Sequence, residues 1–401
     1  MNREDFPILQ KNIIYFDNGA TTLKPQSVID ATVDYYQNYS VNAHRGDYDL
    51  SAKVNLAYEM VRDKVRNFIH AKTESEIIFT SGATESLNMI VKGFMKNHLK
   101  SGDEVLLTKS EHASNILPWL ELAKENNIHI RYIPLTYDHE VTIENIKKSI
   151  SSKTKVISLA AITNVLGDIR PIHEIGLICK ERNIYFVVDG AQSVPHIKTD
   201  VVADNIDFLA FSAHKMLGPT GVGVLYGKEN LLEEMKPLKV GGGMNQIFTA
   251  SGIYQYENLP LRLEAGTQNI AGIIAFGEAI DYLSMIGFEK ISQYEHELKI
   301  YFLQKASEID DLIIYNPNTS GSTIAFNLKN IFAGDTAAFL NTYHICIRAG
   351  NHCAKILKDE LGVANTCRIS FYFYNSMSEI DYLIDTLKKA KVTFHKAKFK
   401  F

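Results

Sequence analysis

Between residues 76 and 227 the chain repeats one pattern: a short apolar run, a polar turn, then an amphipathic stretch. The apolar runs fall at 77–80, 104–108, 128–133, 156–162, 185–188, 208–211 and 222–226. Most are four to seven residues long, are rich in Val, Ile, Leu and Phe, and end in turn residues, which suits strands buried on both faces. The stretches between them repeat apolar residues at helical spacing, running up to about 95, from about 116, over 143–150 and over 172–182. This alternation predicts an α/β domain with a mostly parallel sheet and helices on both faces.

Upstream, 13–16 reads as a short strand. Pro25 opens a helix that runs to about Tyr39, and a polar segment, Asn42-Ala43-His44-Arg45-Gly46, follows. Ser51 is positioned to cap a long helix to about His70, with Tyr58, Val61, Val65 and Phe68 on one stripe. The rhythm changes after Gly241-Gly242-Gly243. Residues 244–268 read as irregular, and helices are expected over 271–283 and 288–308. Short strands at 322–326, 346–348 and 367–371 then alternate with helices to about 387, as in a smaller α+β domain. The expected division is an N-terminal segment at 1–20 packing with the small domain, a large domain at 21–265 and a small domain at 266–401.

Composition narrows the partners. Apolar residues make up 46% of the 401 and charged residues 22%, as in an ordinary globular chain. The formal net charge of −4 offers no electrostatic case for nucleic acid or an anionic membrane. No apolar run is long enough to span a bilayer, and the N-terminus lacks the form of a signal peptide. Four cysteines make no disulfide framework, and none shows metal-site spacing, so reduced thiols, a cytoplasmic location and no metal are expected.

The strand ends carry the candidate chemistry, because ligands of such sheets sit beyond the carboxyl ends of the strands. The run at 185–188 delivers Asp189, and the run at 208–211 delivers Ser212, His214 and Lys215. An acid that holds a protonated ring nitrogen and a lysine that forms an imine are what pyridoxal 5′-phosphate (PLP) asks of a protein. The plain alternative for this pair alone is an acidic turn and a surface lysine. Ser81-Gly82-Ala83-Thr84, between a strand and a helix, suits a phosphate, with Ser212 and His214 as further donors. No GxGxxG or Walker pattern points to NAD or ATP. Gln192 is placed to reach a ring oxygen, and His112 to stack on a ring or move protons.

Cys353 follows a strand, with Arg348 and His352 as neighbouring cations that favour its thiolate. Cys179, Cys346 and Cys367 read as packing residues. Arg368 matches a substrate carboxylate through its fork, with Arg348 and Arg45 as weaker candidates.

Taken together these segments resemble a known family. YFDNGAT (15–21), NAHRGDYDLS (42–51), FTSGATES (79–86), EHASNILPW (111–119), NVLGDIRPI (164–172), DGAQS (189–193), FSAHKMLGPTGVGVLYGK (211–228), EAGTQN (264–269) and RAGNHCA (348–354) are similar to the motifs of group II cysteine desulfurases of the SufS/CsdA type. These are class V, fold-type I PLP enzymes. The resemblance implies a large domain with a mostly parallel seven-stranded sheet and a smaller α+β C-terminal domain. It implies that Lys215 carries PLP as an imine, Asp189 pairs with the ring nitrogen, Gln192 bonds the ring oxygen and His112 stacks on the ring. Ala83, Thr84, Ser212 and His214 would hold the phosphate, and Thr267 would reach the phosphate of a second subunit, implying a homodimer. Arg368 would bind the substrate carboxylate with Asn164 assisting, and Arg348, His44 and Arg45 would join the substrate site.

Cys353 would take the sulfur of L-cysteine as a persulfide, leaving L-alanine. An acceptor of the SufE or SufU kind would pass the sulfur towards iron–sulfur cluster assembly. The alternatives are a selenocysteine or cysteine-sulfinate lyase, another class V enzyme such as a transaminase or epimerase, or a non-catalytic scaffold. The sequence departs from the family pattern at GATE, EHASN and GNHC; the first removes a hydroxyl from the phosphate cup.

Overall fold

The computed structural model describes residues 3–44 and 46–398. It opens with 3-10 turns and a two-residue strand, β1 (Ile14–Tyr15). The large sheet follows: β2 (Ile77–Thr80), β3 (Glu104–Leu107), β4 (His129–Tyr132), β5 (Thr154–Ala160), β6 (Tyr185–Asp189), β7 (Phe208–Ser212) and β8 (Gly223–Gly227). Its strand order is β2-β8-β7-β6-β5-β3-β4, and every pairing is parallel except those of β8 with β2 and β7. The fold is therefore the expected α/β class with a mostly parallel seven-stranded sheet.

The period of two along each strand explains the packing, since alternate side chains enter opposite apolar layers. Phe186, Val188, Leu209 and Phe211 face one core, while Val187, Phe208 and Ala210 face the other. Both layers are closed by helices, so the strands are buried and their polar ends mark one exposed edge.

Local differences from the sequence reading have local causes. The long helix begins at Asp49 rather than after Ser51, with Tyr48 in the capping position. Ser51 is buried within its first turn and its Oγ–H donates to the Asn42 carbonyl. The helix after β2 is α only over Ala83–Asn88 and widens to a π turn over Met89–Met95. The stretch expected to be irregular contains an antiparallel hairpin, β9 (Asn245–Phe248) with β10 (Tyr254–Tyr256).

The C-terminal body is a four-stranded antiparallel sheet, β11-β12-β15-β14, built from β11 (Leu312–Ile314), β12 (Thr323–Leu328), β14 (Arg348–Gly350) and β15 (Thr366–Ser370). Ahead of β14, the short β13 (Ile345–Cys346) pairs in parallel with β1. Asp17 extends that contact by bridging to Ser370, so the N-terminal segment is stitched to this body. Helix Ile270–Ile286 lies past the expected boundary at 265, yet it buries Ile273, Phe276, Ile280 and Leu283 in the core of the large sheet. Its exposed residues, among them Asp281, Ser284 and Met285, share one side, and the rest of the helix packs into the core. Among the described residues no single helix is long and apolar enough to cross a membrane; the bent pair Ile270–Ile286 and Phe288–Ala306 passes only when joined.

Candidate active site

A cavity of about 210 Å³ opens at the carboxyl ends of β5, β6 and β7. Lys215, Asp189, Gln192, His112, Ala83, Thr84, Ser212, His214, Asn164, Arg348 and Arg368 all line it. Residues from seven separate segments meet there because each follows a strand end or enters from the C-terminal sheet.

Lys215 sits in a 3-10 turn directly after β7. Burial pushes its amine down to about 8; Asp189 pulls the other way, and Arg368 and Arg348 add repulsion. The turn is held from behind. The carbonyl of His214 accepts from the Thr22 N–H at 3.0 Å, the Thr21 hydroxyl at 2.9 Å and Lys24 Nζ at 2.9 Å. Lys24 is itself pushed down to about 7 by burial.

Asp189 ends β6, is 5% exposed, and accepts the Ala191 N–H at 3.0 Å. Burial raises its carboxyl, with Lys215 acting in the opposite direction. A buried acid of this kind suits a cationic N–H partner. Gln192 donates from Nε2 to the Gly19 carbonyl at 2.7 Å, fixing its amide beside the cavity.

His112 accepts the Ser114 N–H on Nδ1 at 3.1 Å. Burial first, then Lys215, Arg348 and Arg368, push it down to about 4, so it presents a neutral ring. Beneath it lies a buried charge network. Arg170 donates to Glu111, and Glu111 also accepts from Thr108, Asn115 and the Ala160 N–H. No motif argument singled out Glu111 or Arg170, although both flank segments that carry site residues.

The anion cup is compact. Ser212 Oγ accepts the Ala83 N–H at 2.8 Å, and the Thr84 hydroxyl pairs with Ser114 Oγ at 2.8 Å. Gly82 has φ +153, and a Cβ on Gly223 would lie 2.3 Å from the Gly82 Cα, so both glycines are needed for this approach. His214 is pushed down to about 4 by burial, then by Lys215 and Lys24, and so offers neutral donors.

Arg368 arrives from β15, where it pairs in register with Arg348 of β14. It is 1% exposed, donating to Asp17 at 2.6 Å and to the Asn164 carbonyl at 3.0 Å. Its Nε has no partner in the structure. Asn164 donates from Nδ2 to the His352 carbonyl at 2.8 Å and leaves Oδ1 buried and unpaired.

Cys353 is exposed and does not itself line the cavity; its carbonyl accepts the Ala113 N–H at 2.7 Å, next to the cavity-lining His112, and it acts electrostatically on Lys215. His352 corrects one expectation. It is buried, with Nε2 against the Thr366 carbonyl at 2.9 Å and hydroxyl at 3.0 Å. Burial, then Arg368 and Lys358, push it down to about 2, so it is neutral and is not a cation beside the thiol.

Thr267 and His44 stand outside this cavity, together in a separate cleft. Asn42 donates to Thr267 at 3.4 Å, and His44 Nε2 lies 3.2 Å from Glu59. The Thr267 loop is anchored by Glu264, which is clasped by the buried Arg62 at 2.7 and 3.0 Å. Arg45 lies outside the described residues. Among the described residues, no group of three or more His, Cys, Asp or Glu is arranged to hold a metal ion.

A fold of this type, with a lysine and an acid at adjacent strand ends, defines a class, and the family comparison agrees. Residues 14–383 match the aminotransferase class-V model, and the chain belongs to that family. Membership implies PLP as the family's cofactor.

Particular relatives narrow the likeness. The chain is 42% identical over 396 residues to a probable cysteine desulfurase of Halalkalibacterium halodurans, covering 97% of each chain. It is 43% identical over 398 residues to a probable cysteine desulfurase of Staphylococcus aureus, covering 98% of this chain and 96% of the relative. Among solved structures it is similar to a cysteine desulfurase from Thermococcus onnurineus, in its apo form, with TM-score 0.93 and 36% identity over 96% of each chain. It is also similar to the cysteine desulfurase CsdA from Escherichia coli, with TM-score 0.91 and 32% identity over 97% of each chain.

Proposed function

We propose that this protein is a PLP-dependent L-cysteine desulfurase that moves the substrate sulfur onto Cys353 and releases L-alanine. The observation that carries the reading is an exposed cysteine whose loop is bonded to Ala113 and Asn164, beside the cavity that Lys215 and Arg368 line. A transaminase needs the lysine and the arginine but has no use for the thiol.

The residues fit the cofactor. Asp189 is a buried acid suited to a cationic ring nitrogen, the Lys215 amine is pushed down to about 8, which brings its free form within reach, and the cup around Ala83, Thr84, Ser212 and His214 offers neutral donors to a phosphate. When bound, PLP supplies an electron sink at the substrate Cα. Arg368 then holds the substrate carboxylate through its unpaired Nε. The neutral Lys215 amine removes the Cα proton. His112, being neutral, packs on the ring face without repelling its charge. The Cys353 thiolate attacks the substrate sulfur; the S–S bond forms as the Cβ–S bond breaks. The electron pair stays with the substrate carbon, which gains protons to become alanine.

Thr267 and His44 stand together away from the Lys215 cavity, which fits a homodimer whose second subunit receives them. An acceptor protein of the SufE or SufU kind would relieve Cys353 of its sulfur. The test is mass analysis after addition of L-cysteine. The expected result is one added sulfur on Cys353, with alanine formed and with the Cys353→Ala protein keeping its PLP but forming no persulfide. Sulfur transfer by Cys353→Ala at the normal rate would falsify the assignment.

A further inference from the structure

The Cys353 loop is not simply a mobile strap over the cavity. Its two peptide carbonyls are both tied to the large domain. The His352 carbonyl accepts from Asn164 Nδ2 at 2.8 Å, and the Cys353 carbonyl accepts from the Ala113 N–H at 2.7 Å. Between those ties, His352 and Cys353 adopt φ of +53 and +56, a left-handed conformation that residues with a Cβ take only when held.

Asn164 is also tied to the substrate arginine. Its backbone carbonyl accepts from Arg368 Nη1 at 3.0 Å. One residue thus joins the carboxylate anchor through its main chain to the cysteine loop through its side chain. The orientation of the amide follows from its partner: a carbonyl demands the NH₂ end. Oδ1 is consequently left buried without a donor, while the neighbouring Arg368 Nε is buried without an acceptor. Both residues line the cavity, so a carboxylate that enters it finds a free donor on Arg368 and an unpaired acceptor on Asn164.

We propose that Asn164 is a positioning residue for Cys353, holding the loop in its left-handed form until an amino-acid carboxylate reaches Arg368. A carboxylate oxygen beside Arg368 repels Oδ1 and attracts Nδ2. The amide answers by giving its N–H to the carboxylate and releasing the His352 carbonyl. Loss of that tie leaves the Ala113 bond and the Thr366 contacts, and the strained turn relaxes so that the thiol can travel to the substrate sulfur. Arrival of the substrate and release of the nucleophile are thereby one event. This inference rests on the desulfurase reading for its purpose, but its geometry and its test do not use that reaction.

The experiment follows the rate at which iodoacetamide alkylates Cys353 in the PLP-loaded protein, read at that cysteine by peptide mass. L-alanine, which brings a carboxylate but no transferable sulfur, raises the rate by about three- to tenfold, the range for one net hydrogen bond. Ethylamine, the same molecule without the carboxylate, leaves it unchanged. Asn164→Ala and the bulkier Asn164→Leu show the raised rate without ligand, and L-alanine adds nothing further. Cys346, partly buried on β13, serves as the internal control, because general loosening would raise its alkylation too. An L-alanine effect that is absent or reversed in the natural protein overturns the proposal, as does a rise at Cys346 that matches the rise at Cys353. Failure of the desulfurase reading shows separately, as the absence of persulfide and alanine after L-cysteine.

Discussion

Arg368 donates from Nη2 to Asp17 Oδ1 at 2.6 Å, joining residues 351 positions apart. The guanidinium that faces the cavity is therefore partly neutralised before any ligand arrives. Burial lowers its pKa and Asp17 raises it, so the acid is what keeps a cation tolerable there. Asp17→Ala removes that counter-charge and is expected to lower stability by about 2 kcal/mol. L-alanine should return part of the loss, because its carboxylate takes the place of the missing one. Urea unfolding with and without L-alanine checks this; equal stabilisation of the natural and variant proteins would speak against it.

An amine forms an imine only in its free form, and the Lys215 pKa near 8 sets where that form appears. The rate of PLP uptake by the cofactor-free protein should rise with pH through about 8 and then level. An ordinary lysine would keep gaining until about 10.4. Stopped-flow absorbance across pH 6–11, at roughly half-unit steps, follows the imine band. Continued acceleration above pH 10 would mean that burial does not control this amine.

The site histidines are silent near neutrality. His112 and His214 lie near 4 and His352 near 2, each pushed down by burial, so all three are neutral across the usual range. The alkylation rate of Cys353 between roughly pH 5.5 and 7.5 should therefore show no histidine step near 6.5. A second inflection in that window, lost in His352→Gln, would contradict the neutral assignment.

Beneath His112, Arg170 and Glu111 are both fully buried and paired. Breaking such a pair from one side is costly, because a charge is left without its partner. Arg170→Met is expected to cost about 3–5 kcal/mol, and adding Glu111→Gln should recover a good share of it. Chemical unfolding of both single variants and the double variant measures the coupling. Simple additivity would show that the pair is not what holds the floor under His112.

The alternation of apolar runs and turns was enough to foresee the parallel sheet, since a short apolar run bounded by polar turn residues is a local property. The same pattern placed Asp189, Lys215 and the Ser81–Thr84 turn at strand ends, where β2, β6 and β7 deliver them. The hairpin β9–β10 was hidden, because its exposed strands lack a buried face to write an apolar pattern. Helix Ile270–Ile286 could be seen as a helix but not assigned to a core, because its broad apolar face does not say which body it packs against.

What the sequence determined by itself was the class of fold and the strand ends at which candidate side chains gather. Those follow from periodicity and from residue type, which need no knowledge of distant neighbours. The tertiary structure decided the charge states and the ties. His352 is neutral because the fold buries it, with the Thr366 hydrogen bond 14 positions away acting in the opposite direction, and Asp17 reaches Arg368 only because β1 joins the C-terminal body. Asn164 holds the Cys353 loop across 188 positions. Burial and hydrogen bonding set these properties, and both depend on which segments meet in space.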